Sequence, residues 1–183
     1  MVTVAAAAGT ASCGSPQHTS SRPTTTTATS NAAAVQALLE EGISQAQAKM
    51  FGQAATTFKN VLLLNPKNVY ALYNLGVIDQ TENDTGGALS YYNQALGADS
   101  TYTPAMYNKA IILESTNLDA ALALYQKIVV INPKASTAYL RMAFVYAKQG
   151  QTAKAREARA KAVALEPSLS KYPLPAKCSQ PSC

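Results

Sequence analysis

Along residues 35–169 apolar positions recur with a helical period and break at short polar stretches such as "TENDTGG" and "STNLD". That pattern predicts amphipathic helices in pairs, each pair joined by a polar turn. Asp84 and Asn117 stand where a side-chain oxygen caps the second helix of a pair. The pairs themselves recur. Three segments end in proline, "FKNVLLLNPKN", "YQKIVVINPKA" and "RAKAVALEPSL", with Pro66, Pro133 and Pro167 spaced by 67 and 34 residues. A period of 34 divides the chain into four units, 35–68, 69–102, 103–135 and 136–169, with one deletion in the turn of the third.

The units agree where close packing demands it. Position eight is small in every unit: Gly42, Gly76, Ala110 and Ala143. Position twenty is Ala54, Ala88, Ala121 and Ala155, and position twenty-four is Phe58, Tyr92, Tyr125 and Arg159. Small residues let two helices approach, and the aromatic fills the space beside them. The proline near position thirty-two stops the second helix, since it lacks an N–H and restricts its predecessor. In this register the chain resembles the tetratricopeptide repeat over about residues 35–169. The resemblance implies an all-α, right-handed superhelical solenoid of four helix-turn-helix repeats. One pair alone cannot bury its apolar face, which is the physical reason for stacking.

Three features depart from the repeat. The family usually places Trp at position four, where this chain has Leu38, Leu72, Met106 and Tyr139. The second junction, "GADSTYTP", lacks the usual proline and carries Gly97, so it is expected to be the loosest of the stack. In the fourth unit the position-twenty-four aromatic becomes Arg159, within "QTAKAREARAKAVALE". A polar outer face suits a terminal repeat. Tyr172 and Leu174 are expected to fold back over what remains apolar there.

Composition narrows the function. The chain is 48% apolar and 14% charged, enough for a core, with abundant alanine and no apolar stretch long enough to span a bilayer. His18 is the one histidine and precedes the repeats, which excludes histidine catalysis within them. There is no phosphate loop, metal spacing or nucleophile with a base, so no cofactor is expected and the protein is expected not to be an enzyme. Glu40 and Glu41 are sequence neighbours and do not share a helix face. The net charge of +5 is uneven. The second unit has Asp79, Glu82, Asp84 and Asp99 and no Lys or Arg, while the fourth has Arg141, Lys148, Lys154, Arg156, Arg159 and Lys161 against Glu157 and Glu166. A basic end suits an acidic partner, anionic lipid or simple solvation. Opposite signs along the stack also allow self-association. No nucleic-acid reader motif is present, so nucleic acid is not an expected partner.

The family resemblance implies a concave groove, lined by the first helix of each unit, that holds a peptide of a protein partner. Its groove positions fall here on Gln36, Leu39, Ile43 and Gln47, then on Tyr70, Tyr73, Asn74 and Val77. The third unit supplies Tyr107, Asn108 and Ile111, and the fourth Leu140, Arg141, Phe144 and Lys148. Tyrosines offer stiff amphipathic contact and asparagine amides can bond a peptide backbone. Some members grip a C-terminal carboxylate with a five-residue clamp. Asn108 and Arg141 match it, whereas Thr137, Tyr73 and Val77 do not.

The N-terminal segment concerns location. "VTVAAAAGTASC" is an apolar run, then small residues, then Cys13. It resembles a bacterial lipoprotein signal, which implies lipidation of Cys13 and an extracytoplasmic, membrane-anchored protein of the cell envelope. No Lys or Arg precedes the run, and Thr10 stands where that motif prefers leucine; a start upstream of Met1 would remedy both. Residues 14–31 read as a Ser/Thr/Pro-rich disordered linker with a reach of roughly 20–25 Å. A cytoplasmic adaptor with the same tail is the alternative. The domain plan is therefore 1–13 signal-like segment, 14–31 linker, 32–169 repeat domain and 170–183 C-terminal tail. In an oxidising compartment Cys178 and Cys183, with four residues between them, can close a small disulfide loop.

Overall fold

The computed structural model describes residues 26–175. Cys13, Cys178 and Cys183 lie outside them. Eight α-helices and one short 3-10 helix make up the described residues, with no strand among them. The pairs are α1 (Thr26–Gln47) with α2 (Phe51–Leu64), α3 (Val69–Thr81) with α4 (Thr85–Ala98), α5 (Thr103–Leu113) with α6 (Leu118–Ile131), and α7 (Ser136–Lys148) with α8 (Thr152–Leu165). Each helix packs on its chain neighbours. The first helices also touch directly, α1 on α3 and α3 on α5. That contact puts the first helices on the inside of the curve and the second helices outside.

The repeat signature is the core. Phe58, Tyr92 and Tyr125 are fully buried, as are Ala54, Ala88, Ala121 and Ala155. A Cβ on Gly42 would meet the Phe58 ring at 2.7 Å, and one on Gly76 the Tyr92 ring at 2.6 Å. The small residue at position eight therefore makes room for the aromatic at position twenty-four.

The turns explain the third unit's deletion. In the first, second and fourth units the turn passes through one left-handed residue, Lys49, Asn83 or Gly150. Each such turn closes by a backbone bond over five residues: Met50 to Gln45, Asp84 to Asp79 and Gln151 to Tyr146. This is the helix-ending motif that satisfies orphan carbonyls. The third unit omits the left-handed residue and closes over four, with Asn117 N–H donating to the Leu113 carbonyl at 2.7 Å. Asp84 and Asn117 cap as expected, their Oδ1 atoms accepting from the N–H of Gly87 and Ala120, both at 2.9 Å.

The second junction is built like the others. Asn65, Asp99, Asn132 and Glu166 each follow a helix, the last three in extended conformation. In every case the residue three further on donates its N–H back to that residue's carbonyl. Where the proline is missing, Asp99 Oδ1 accepts from both the N–H and the hydroxyl of Thr101. The turn is thus held by a side chain, and nothing marks the junction as loose.

Both ends differ from the sequence boundaries. Helix α1 begins at Thr26, so it takes in the last six residues of the stretch read as linker. No proline or glycine follows Pro23 before Gly42, and extending an existing helix costs far less than nucleating one. At the other end the chain does not leave the stack at residue 169. The 3-10 helix η1 (Pro167–Lys171) buries Leu169 against Leu140 and Ala162. Arg159 then donates to the carbonyls of Ser170 at 2.7 Å and Tyr172 at 3.0 Å. Leu174 folds back onto the last core cluster, as expected, but Tyr172 stays exposed beside Lys171.

Candidate peptide-binding groove

The first helices present one row of side chains to the inside of the curve. Tyr70, in the first turn of α3, is 59% exposed and meets the Tyr102 ring edge-on at 5.8 Å. Tyr73 is half-buried, 5.5 Å from Tyr102 and 6.1 Å from Tyr92. Val77, Ile111 and Phe144 are half-buried further along the row, and Tyr107 stands edge-on to Tyr125 at 5.7 Å. In the first unit Ile43 and Gln47 are exposed, Gln36 donates to Glu40 at 2.7 Å, and Leu39 is core. Leu140 does not belong to the row. It is buried beneath the C-terminal strap because Leu169 covers it, and it is closed to a ligand.

The polar groove residues are engaged with one another. Asn108 Nδ2 donates to the hydroxyls of Tyr73 at 3.3 Å and Tyr92 at 3.4 Å. The Tyr92 hydroxyl donates to Gln80 Oε1 at 2.7 Å. One unit on, the Tyr125 hydroxyl and Arg141 Nε both donate to Glu114 Oε1 at 2.8 Å, and Lys148 Nζ lies 3.9 Å from Oε2. What repeats is the bond from the position-twenty-four hydroxyl to position twelve of its own unit; position six of the next unit joins it, Asn108 through the Tyr92 hydroxyl and Arg141 through Glu114. Asn74 makes no such bridge and donates to the Tyr70 carbonyl at 2.8 Å. The preceding unit offers it Phe58 and Ala46, which carry no side-chain acceptor.

Electrostatics follow from this burial. Burial pushes the Tyr92 and Tyr102 phenols up to about 12, with the neighbouring tyrosines adding to it. Burial also raises Tyr125. Burial of Arg141 opposes its charge, but Tyr125 and Glu114 outweigh it and hold the guanidinium above its ordinary value. The groove therefore has a neutral tyrosine half over the second unit and a charged half around Glu114, Arg141 and Lys148. Arg141 and Asn108, the two matches to a carboxylate clamp, serve the joints between units instead.

Glu114, Gln80 and Tyr102 were not singled out from the sequence. Comparing position twelve across units would have found the first two. It reads Ala46, Gln80, Glu114 and Ala147, against Phe58, Tyr92, Tyr125 and Arg159 at position twenty-four. An acceptor stands only where there is a tyrosine hydroxyl to use it. Tyr102 carried no such pattern.

Two tetratricopeptide-repeat profiles match the chain, one over residues 39–103 and one over residues 112–168. The chain belongs to the tetratricopeptide-repeat family. Its fold is that of a protein–protein interaction scaffold. The photosystem I assembly protein Ycf3 of Synechococcus sp. (strain WH7803) is 32% identical over 111 residues, which are 57% of this chain and 64% of that protein. The chain thus spans under two thirds of that relative's length. Among solved structures, MamA aligns with a TM-score of 0.67 at 24% identity, over 75% of this chain and 81% of its own. The Pseudomonas aeruginosa protein pilF aligns at 0.69 with 23% identity, over 77% and 66%. These two share the repeat's fold.

Proposed function

We propose that this repeat protein holds a segment of a partner protein against its concave face while tethered to a membrane in a bacterial cell envelope. The observation that carries the first part is the row Tyr70, Tyr73, Val77, Tyr107, Ile111 and Phe144. These side chains stay accessible on rigid helices, while Asn108 and Arg141 between them are locked into the joints. Stiff aromatic surface on a preorganised frame binds with little loss of conformational freedom. The sequence around Cys13 supports the tether. A relative named for complex assembly, Ycf3, fits a scaffold that assembles other proteins; its cargo is not carried over.

A photo-crosslinking amino acid in place of Tyr70 or Tyr107 tests the groove in the native host. The groove positions should capture one partner segment that a convex control at Gln94 does not. Equal capture at all three positions, or none, would contradict it. The intact mass of the mature protein tests the tether. An acylated start at Cys13 supports it, and an unmodified start at Met1 or Val2 removes it.

A further inference from the structure

The tyrosines of the concave face gather where α3 and α5 start. Tyr102 stands edge-on to both Tyr70 and Tyr73, at interplanar angles of 83° and 75°. Tyr107 continues the row one unit on, at the same position five as Tyr73. All four rings are at least partly exposed. Rings held edge-on leave faces open to a ligand instead of stacking on one another. Their hydroxyls are open too. Among the described residues those of Tyr70, Tyr102 and Tyr107 bond no protein group, and that of Tyr73 only accepts, from Asn108. Four phenolic hydrogens are therefore uncommitted.

Aromatic faces with hydroxyl donors between them suit one form of peptide. A segment in β form takes its backbone bonds from a strand edge, and the described residues contain no strand. An amphipathic helix satisfies its own backbone and lays an apolar face into the groove, which would cover the four hydroxyls without giving them partners. A polyproline II segment has no internal hydrogen bond, so its carbonyls are open to side-chain donors, and its proline rings pack on aromatic faces. The spacing agrees. Polyproline II advances about 9 Å in each three-residue turn. Helices α3 and α5 touch directly, so their axes lie on the order of 8–10 Å apart. A segment crossing both helices brings one turn to each, and the same ridge of prolines meets Tyr73 and then Tyr107. Asp99, ionised and close enough to Tyr102 to act on it, makes a cationic segment the competing occupant.

Given the concave face as the binding surface, on which this inference rests, we propose that the partner segment is proline-rich and lies as polyproline II across the starts of α3 and α5. Its prolines pack against the rings of Tyr70, Tyr73, Tyr102 and Tyr107, and its carbonyls accept from their hydroxyls. The contacts are uncharged, so binding does not depend on salt.

The full chain is titrated against fluorescein-labelled decaproline and followed by anisotropy, beside a neutral helix-forming peptide of alanine, leucine and glutamine and a peptide of glycine and lysine. Decaproline should bind saturably, and its affinity should change by no more than about twofold between low and high salt. Y70F/Y107F keeps both rings and removes two donors, so it should weaken binding about tenfold. Neither hydroxyl bonds another described residue, so the variant should melt like the parent. A parent that ignores decaproline, or a Y70F/Y107F variant that binds it as tightly as the parent, would overturn the inference. Preference for the helix-forming peptide would overturn it in favour of a helical ligand. Preference for the glycine–lysine peptide, fading as salt rises, would overturn it in favour of a cationic one. If decaproline is ignored while crosslinkers at Tyr70 and Tyr107 still capture one segment in the host, the ligand is of another class and the groove reading stands. If those crosslinks fail as well, the groove reading is contradicted along with the inference.

Discussion

At the scale of single residues, space decides more than propensity. Gly76 and Gly97 both sit in helices, where alanine is ordinarily favoured by about 1 kcal/mol. A Cβ at Gly76 would run into the buried Tyr92 ring, whereas at Gly97 nothing lies within 4 Å. Gly76→Ala should therefore destabilise by about 1–3 kcal/mol through overpacking, and Gly97→Ala should stabilise by up to about 1 kcal/mol. Paired denaturant titrations give both signs. Asp79 supplies a pH test. Burial raises its carboxyl above the ordinary 3.8, with Asp84 and Glu82 adding to it and Lys59 opposing. The native state then holds this proton more readily than the unfolded chain. Stability from Asp79 is full below pH 3.8 and falls as pH rises through the higher native value. Asp79→Asn should raise the melting temperature at neutral pH, and its advantage should vanish below about pH 4. An unchanged difference across that range would remove Asp79 as the cause.

At the scale of helix pairs, the bond between positions twelve and twenty-four is the unit of design. Removing the Tyr92 hydroxyl by Tyr92→Phe leaves Gln80 without its donor and Asn108 with Tyr73 alone, and should cost about 1 kcal/mol. The first unit already pairs Phe58 with Ala46. Adding Gln80→Ala to Tyr92→Phe should therefore cost less than the two single changes together, and a double-mutant cycle reads the coupling. Strict additivity would show that the bond contributes nothing. Much of this scale was legible. Small residues, aromatics, caps and turn lengths are legible because they repeat with the period, even where small and aromatic residues meet 16 residues apart. The acceptors at position twelve are present in the sequence but change from unit to unit, Ala46, Gln80, Glu114 and Ala147, so the period does not mark them. The Asp99 turn was missed for a different reason: a side chain replaced the proline that marks the other junctions.

At the scale of the whole molecule, one row of side chains divides into two jobs. Asn108 reaches 35 residues back to Tyr73, and Arg141 27 residues back to Glu114. Such distances are invisible to spacing arguments, so both residues looked like ligand contacts when read as sequence. Leu140 was misplaced for a related reason, since the strap that buries it lies beyond the last repeat. Leu39, also placed in the groove by the resemblance, is core, while the other hydrophobic and aromatic members of the row stay at least partly exposed. The division makes the binding claim separable from stability. Tyr70, Ile111 and Phe144 hydrogen-bond no joint between units, so changing them tests binding without unpairing a buried polar group, at the cost of the Tyr70–Tyr102 contact and of Phe144 packing on the last core cluster. The most direct measurement is the affinity of the segment captured at Tyr107 for the purified protein and for its Y70A/I111S/F144S variant. The account predicts at least a tenfold loss, more than about 1.4 kcal/mol, in a variant that still melts cooperatively. Undiminished affinity in that folded variant would contradict it and place the binding surface elsewhere.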